Sequence, residues 1–467
     1  MGHRAAQGRN KPGAPRSEPI EVDVESLGAG GAGLARHDGR VIWVRGAAPG
    51  DRLSILDPGA AAKGAQARIL RVITPGPDRV EPICPIVRRC GGCDWMHLDV
   101  DAQRREHARI VSLGISHALG VPVATLPAIT THAGPAALAY RTRARLHVRA
   151  DRNGIAVGYR AAGTNDLVSI ESCSVLAEPL LSGVAQLRKA LAGSRGDGDA
   201  SLALGRSGGE VRPVVDLAWE GELSSATYGA IDAHVRAGTW AGARVRLAEV
   251  RQAALFGDPS PIVEGPDGAP LTIAPGGFAQ PSDAGAALLA RRVAELAAAG
   301  DSGPREARSA DSGQNVLELY SGSGTLSVLL AKGAASFIGV ELDEAAVRAA
   351  RKSFEARSLS GKHVVADAAT YVVPAKVDLV VLDPPRTGAR EACAAIAKAR
   401  PRRVVYVSCD VATLARDLAI LCGGRGRAGA AVGPYAIETI ETFEIFPQTS
   451  HVETVVVLRR ARPGKSE

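Results

Sequence analysis

The 467-residue chain has no run of eighteen or more apolar residues, so a membrane-spanning helix is not expected. Its start, MGHRAAQGRNKPGAPRSEP, lacks the apolar segment of a secretory signal and does not read as a transit peptide. Residues 1–17 are instead basic and rich in Pro and Gly, which is the composition of a disordered tail. A cytoplasmic protein is the expectation. Seven cysteines, an odd number, without a secretion signal do not describe a disulfide framework. Metal-binding and catalytic roles for the thiols gain ground accordingly. The chain also lacks an acidic balance. Its 56 Lys and Arg exceed its 49 Asp and Glu, giving +7, and basic side chains supply most of the affinity for a phosphate backbone. The length calls for more than one domain. Oligomeric state is not readable, and a monomer is expected.

Residues 18–75 read as a small all-β unit. IEVDVESL alternates apolar and polar positions, HDGR is a hairpin-type turn, and VIWVRG, DRLSIL and ARILRVI are further short strands. This spacing describes a small closed barrel of the OB-like kind, a shape that often binds oligonucleotides. Residues 76–272 are mixed. Within them YRTRARLHVRA, residues 140–150, sets Arg141, Arg143, Arg145, His147 and Arg149 on one face of a strand. The turn DRNG and the strand IAVGYR complete a hairpin, and its arginines are candidates for RNA contact. After a polar loop near residues 297–314, strands alternate with helices. NVLELYSGSG, SFIGVELD, HVVADA, VDLVVLDPPR and RRVVYVSCD each end in a turn, so residues 273–467 read as an α/β, doubly wound parallel sheet. IETIETFEIFPQTSHVETVVVLRR adds a closing pair of strands, as in the methyltransferase variant of that fold.

The turn ELYSGSGTLS offers Gly322 and Gly324 for a tight bend and close approach of a ligand. Ser327 stands where a dinucleotide fingerprint has its third glycine. Glu341 ends the second strand, where a carboxylate can accept from both ribose hydroxyls, and Asp367 follows the third, where it could meet an adenine amino group. Together these favour S-adenosylmethionine over NAD. The fourth strand ends in Asp383-Pro384-Pro385. Methyltransferases of exocyclic amines carry a similar element followed by an aromatic residue, but Arg386 stands there and is a candidate RNA contact instead.

The fifth strand delivers Cys409 to the same sheet edge. A thiolate adding to carbon 6 of a uracil makes carbon 5 nucleophilic toward a sulfonium methyl group. A base must then take the carbon-5 proton so that the thiolate can leave. Glu453, in FPQTSHVETVVVL, is the candidate base, with His451 as competitor. Elsewhere CPIVRRCGGC places Cys84, Cys90 and Cys93 within ten residues, and Cys173 in SIESCSVL is a possible fourth ligand. Four thiolates suit either tetrahedral zinc or an iron–sulfur cluster.

These motifs resemble those of the RNA uracil-C5 methyltransferases that carry an N-terminal TRAM barrel, the bacterial 23S ribosomal RNA enzymes and their tRNA relatives. The resemblance covers nearly the whole chain except the tail. It implies that Cys409, in YVSCDVATLARD, is the nucleophile and that Glu453 is the base. It implies that Gln280 in GGFAQPS, Tyr320, Glu341 and Asp383 contact the cofactor. It also implies a [4Fe-4S] cluster on Cys84, Cys90, Cys93 and Cys173. The chain departs from the family pattern at Ser321, Ser282, Asp410, Val411 and Ile445, and none of these removes a catalytic group. The expected activity is methylation of a uridine in RNA, with 23S rRNA favoured and tRNA possible. Methylation of an exocyclic amine and an RNA chaperone role are the competing readings.

Overall fold

The alternation in IEVDVESL becomes the strand Ile20–Leu27 (β1), with Val22, Val24 and Leu27 buried, in the computed structural model. The structure describes residues 18–57, 66–299, 313–424 and 433–461. The basic tail, most of the polar loop near 297–314 and most of GGRGRAGAAVG, read from sequence as a surface insertion, lie outside the described residues. The described residues up to 81, with 97–99, form one compact unit, and residues 82–96 with those from 100 onward form a second.

In the first unit β1 is followed by Gly33–His37 (β2), Arg40–Val44 (β3), Arg52–Leu56 (β4) and Arg68–Thr74 (β5). They pair antiparallel in the order β3-β2-β1-β4-β5. Asp38 and Gly39, both at positive φ, make the two-residue turn read from HDGR. The two outer strands also meet: Val44 bridges Ala67, whose N–H donates to the Trp43 carbonyl at 2.7 Å. The fully buried Asp51 ties the unit together. It accepts from the backbone of Ala48 and Gly76 at 2.6 and 2.9 Å and from two guanidinium nitrogens of Arg79 at 2.8 and 2.6 Å.

The second unit opens with a helix, Val100–Leu119 (α1), and a short strand, Ile129–His132 (β6). A seven-stranded sheet follows, built from Arg143–Asp151 (β7), Gly154–Arg160 (β8), Leu167–Ser169 (β9), Arg195–Ser207 (β10), Glu210–Glu222 (β11), Gly242–Leu247 (β12) and Ala254–Gly257 (β13). Its order is β13-β12-β11-β10-β7-β8-β9. Helices Glu178–Ala190 (α2) and Ser225–Arg236 (α3) pack on it through Leu180, Val184, Leu187 and Ile231. The hairpin read from the arginine-rich stretch is β7–β8. A small hairpin, Ile262–Glu264 (β14) and Pro270–Thr272 (β15), leads into Asp283–Ala298 (α4).

The catalytic half then runs Asn315–Leu319 (β16), Ser327–Leu330 (α5), Ser336–Glu341 (β17), Glu344–Glu355 (α6), Lys362–Val365 (β18), Leu379–Leu382 (β19), Arg390–Ala399 (α7), Arg403–Ser408 (β20), Val411–Cys422 (α8), Tyr435–Phe443 (β21) and Glu453–Arg460 (β22). The sheet order is β18-β17-β16-β19-β20-β22-β21-β6. The first five strands are parallel, and β22 inserts antiparallel between β20 and β21. All residues of β19 and β20 are buried, as expected of strands covered on both faces.

One assignment differs from the sequence reading. Residues 76–272 read as a separate central region, yet β6 belongs to the eight-stranded sheet and α1 packs against it. Val111 and Ile115 of α1 share a core with Leu414 and Leu418 of α8, and β6 pairs parallel with β21. Buried charge fixes that edge: Glu441 on β21 meets His132 at 2.7 Å and Arg292 of α4 through two bonds at 2.8 and 2.9 Å. A four-residue strand whose Thr131 meets Thr442, 311 positions away, leaves no local pattern to read. Among the described residues no helix is long and apolar enough to cross a membrane.

Asp51→Ala removes four accepted bonds and leaves Arg79 without its buried counterion. It is expected to destabilise the first unit by about 3 kcal/mol. Denaturant unfolding, followed by the fluorescence of Trp43, checks this against the wild type.

Candidate active site

Cys409 and Glu453 lie 44 positions apart, and strand register brings them together. Ser408, the last residue of β20, pairs with Thr454 of β22. One step further in this antiparallel register sets Cys409 opposite Glu453. Cys409 is half-buried, and Asp410 immediately caps α8 by accepting from the Thr413 N–H at 2.8 Å. The β19 end adds Asp383 and Arg386. All four groups feel one another. Burial, then Glu453 and Asp383, push the Cys409 thiol up to about 12, while Arg386 pulls it back. Burial and then Asp383 hold the Glu453 carboxyl well above its ordinary range, with Gln280 and Arg386 opposing. Loss of water likewise raises Asp383. Each of the three groups is thereby biased toward its protonated form.

The polar atoms here await partners. Both carboxyl oxygens of Glu453, 0% exposed, lack a well-aligned hydrogen bond among the described residues, although the Gln280 amide lies close enough to lower the carboxyl pKa, and the buried Gln280 Oε1 has no partner there. Burying such atoms unpaired costs about 1–3 kcal/mol each, which marks a place where a ligand completes the bonding. The loop carrying Gln280 is held from behind by Arg143, which donates to the Gln280 carbonyl at 3.0 Å and pairs with Asp283. His451 is half-buried, and burial followed by Arg386 lowers its pKa, so it is neutral at pH 7.

Beside this cluster lies the turn after β16. Tyr320 at φ +62, Gly322 at +52 and Gly324 at +89 bend the chain sharply. A Cβ on Gly322 would meet nothing within 4 Å, so space above it is open. Glu341 accepts from the Gly322 and Asp343 N–H groups at 3.0 and 2.8 Å, which ties the turn to the end of β17. Asp367 is exposed and turns its own loop by accepting from Ala369 at 2.9 Å. Burial and then Asp367 raise the Tyr320 hydroxyl to about 12.

Residues not singled out from sequence also organise the site. Asp417 is fully buried and accepts from the Ala389 N–H at 2.6 Å and the Tyr406 hydroxyl at 2.7 Å, while Arg416 beside it donates to the Thr387 carbonyl at 2.9 Å. It locks the Asp383–Arg386 loop onto the helix that follows Cys409. The signal was present as ARD in the stretch after Cys409, but only packing gives it a partner. Glu318 on β16, wholly buried against Ser327, is raised to about 8 by burial. Phe278, by contrast, is a large apolar side chain left 78% exposed two residues before Gln280.

The predicted RNA-contacting arginines separate. Arg145 sits on the exposed face of β7 but pairs with Asp199 at 2.9 Å, and Arg143 is spent on the Gln280 loop. Arg141 precedes the strand and lines a different cavity, with Cys84, Cys90, Cys93 and Cys173. There burial raises Cys90 and carries Cys93 up to about 12, with the neighbouring thiols adding to the effect. Four thiols around one apolar cavity beside a guanidinium fit, as a donor set, a thiolate-held metal centre. As they stand, no group of three or more His, Cys, Asp or Glu among the described residues is arranged to hold a metal ion.

A parallel sheet with a glycine turn after its first strand, an acidic second-strand end and a closing antiparallel strand is a class I methyltransferase fold. Residues 274–400 match the family model "Methyltransferase small domain", and residues 371–461 match "tRNA (Uracil-5-)-methyltransferase". The 23S rRNA (uracil(1939)-C(5))-methyltransferase RlmD of Aeromonas salmonicida is 32% identical, over 96% of this chain and 99% of that one. The protein of the same name from Shewanella halifaxensis is 30% identical over 94% and 96%. The solved tRNA (uracil-54, C5)-methyltransferase of Pyrococcus abyssi, in complex with S-adenosyl-L-homocysteine, shares the fold with a TM-score of 0.68 at 21% identity, covering 94% of this chain and all of that one. The chain belongs to the RNA (uracil-C5)-methyltransferase family.

Because its pKa is raised to about 12, the Cys409 thiolate fraction grows steadily with pH and continues to do so beyond about pH 9, where an ordinary thiol begins to level off. Arg386→Ala removes a cation that opposes this rise and is expected to slow alkylation of Cys409 by iodoacetamide about threefold to tenfold at about pH 8, given the exposure of the arginine. Peptide mass spectrometry of Cys409 over a pH series reads this directly; an unchanged profile would exclude Arg386 as an activator.

Proposed function

We propose that the protein transfers a methyl group from S-adenosylmethionine to carbon 5 of a uridine in 23S rRNA. The observation that carries this is a thiol set opposite a buried, unpartnered carboxylate at the edge where the fold binds its methyl donor. Cys409 Sγ, as thiolate, adds to carbon 6, and the C5–C6 π pair moves toward carbon 5 and the carbonyl. Carbon 5 takes the methyl group and the sulfonium bond electrons stay on sulfur, leaving S-adenosylhomocysteine. Glu453, as carboxylate, takes the carbon-5 proton; the C–H pair restores the double bond and expels the thiolate. Glu453 and Asp383, held protonated by burial, would be ionised more readily beside a bound sulfonium, whose positive charge would lower both pKa values. The target base has to leave its stack to meet a thiol at the sheet edge.

Gly322, Gly324 and Tyr320 would cradle the donor, with Glu341 at its ribose and Asp367 at its adenine. Asp383 and Gln280 would face the reacting end. The bridge from Val44 to Ala67 supports reading residues 18–75 as a closed TRAM-like barrel. Its role, with Arg141, Arg143, Arg145 and Arg386, would be RNA contact, although the ion pairs of Arg143 and Arg145 favour Arg386 as the direct one. The shared cavity of Cys84, Cys90, Cys93 and Cys173 supports a [4Fe-4S] site, which would order this part of the chain when bound. A cytoplasmic monomer is consistent with this chemistry. Transfer to tRNA is the second reading, and the fold shared with the tRNA enzyme keeps it open.

Incubation with labelled S-adenosylmethionine and RNA from a strain lacking the gene should place label in 5-methyluridine of 23S rRNA. Cys409→Ala should abolish transfer, by at least about 10⁴-fold. Glu453→Gln should still methylate but hold the RNA as a denaturation-stable adduct. Methylation retained by Cys409→Ala would sink the mechanism. Cys173→Ser, purified without oxygen, should lose bound iron and sulfide and the visible absorption they give; a wild type loaded with zinc alone would overturn the cluster assignment.

A further inference from the structure

The loop that carries three of the four clustered thiols does not end at its cysteines. Directly after Cys93, Asp94 grips the segment between β21 and β22, in the FPQTSHVE motif. Its Oδ1 accepts from the Ser450 N–H at 2.8 Å and its Oδ2 from the Ser450 hydroxyl at 2.6 Å. Next in line, the Trp95 N–H donates to the Gln448 carbonyl at 3.1 Å. Gln103 of α1 closes the arrangement, donating to the Trp95 carbonyl at 3.2 Å and accepting from the Gln448 N–H at 2.8 Å. The Tyr140 hydroxyl donates to the Pro447 carbonyl at 3.1 Å, and Arg141, which lines the thiol cavity, donates to that hydroxyl at 3.2 Å. His107 Nε2 donates to the Thr449 carbonyl at 3.1 Å. The segment needs such restraint, since Gln448 is held at φ +70, a conformation that costs a non-glycine residue about 1 kcal/mol or more.

Charge-assisted bonds to a carboxylate are the strongest in this set, and both come from the residue adjacent to Cys93. The segment they hold ends at His451 and Val452 and delivers Glu453, whose side chain is approached by the Gln280 amide but makes no well-aligned hydrogen bond among the described residues. The orientation of the base therefore rests largely on its backbone. We propose that Asp94 is a positioning residue for the second half of the reaction, coupling the order of the cysteine loop, through Ser450, to the placement of the base. This rests on the roles of Cys409 and Glu453 given above. The thiol cluster thereby gains a mechanical role. Whatever orders residues 84–93 sets how well the carbon-5 proton is removed, with little effect on attack by Cys409, which is held by β20 and α8 instead.

The test uses the full chain and a defined rRNA fragment in single turnover, with wild type, Asp94→Ala, Asp94→Asn and Ser450→Ala. Two quantities are read: labelled methyl transferred to RNA, free or adducted, and the denaturation-stable protein–RNA adduct. Asp94→Ala should transfer methyl within about threefold of wild type but release product at least about tenfold more slowly, so methylated adduct accumulates. Asp94→Asn keeps an acceptor for the Ser450 N–H and should recover part of the release rate, and Ser450→Ala should give an intermediate accumulation. Amide hydrogen exchange should rise in residues 446–452 of Asp94→Ala while α8 stays protected. Equal slowing of transfer and release, or wild-type release in all three variants, would overturn the proposal. Wild-type enzyme that forms no adduct with 5-fluorouridine RNA would overturn it together with the nucleophile assignment, and so would be told apart from failure of the Asp94 clamp alone.

Discussion

The site depends on the register between β20 and β22. Ser408 faces Thr454, so the residues just beyond, Cys409 and Glu453, come opposite each other at the carboxyl edge of the sheet. A slip of one residue would turn every side chain of β22 to the other face and carry Glu453 away from the thiol. The register is secured on both sides. β22 is buried from Glu453 to Leu458 and is clamped between β20 and β21, and β21 is pinned at its outer side by the pairing with β6 and by Glu441 with Arg292 and His132. The edge strand from early in the chain thus belongs to the machinery that aligns two residues near its end.

Within that frame the chemistry is electrostatic. Cys409, Glu453 and Asp383 share a poorly solvated pocket, where negative charges exclude one another and each group is pushed toward its neutral form. Arg386 is the protein's own counterweight, and a sulfonium would be a second. Asp417 plays the complementary geometric part. It satisfies the Ala389 N–H and the Tyr406 hydroxyl at once, so the loop bearing Asp383 and Arg386 cannot move independently of the helix that follows Cys409.

The departures from the family pattern become intelligible at this level. Ser282 caps α4 by accepting from the Gly285 N–H at 3.2 Å, and Asp410 caps α8 in the same way, which are roles that asparagine also fills. Ser321 has a buried hydroxyl with no hydrogen-bond partner among the described residues, a site where a thiol, a weaker hydrogen-bonding group, would sit at lower cost. The structure gives no account of Val411 beyond its contact with α1 at Gly114.

Local chemistry made much of this protein legible in its residues. Alternating and continuous apolar runs announce the strands, the glycine turn and acidic strand ends point to a donor pocket, and the cysteine at a strand end gains a chemical reading only from the motifs around it. Those are short-range signals, because strand burial, positive φ and capping are settled within a few residues. What they could not decide is which strands neighbour one another. The addition of β6 to the eight-stranded sheet, the diversion of Arg143 to the Gln280 loop and the grip of Asp94 on Ser450 join positions 137 to 356 residues apart. No periodicity records such pairs, since their energy exists only once the chain has closed the loop between them.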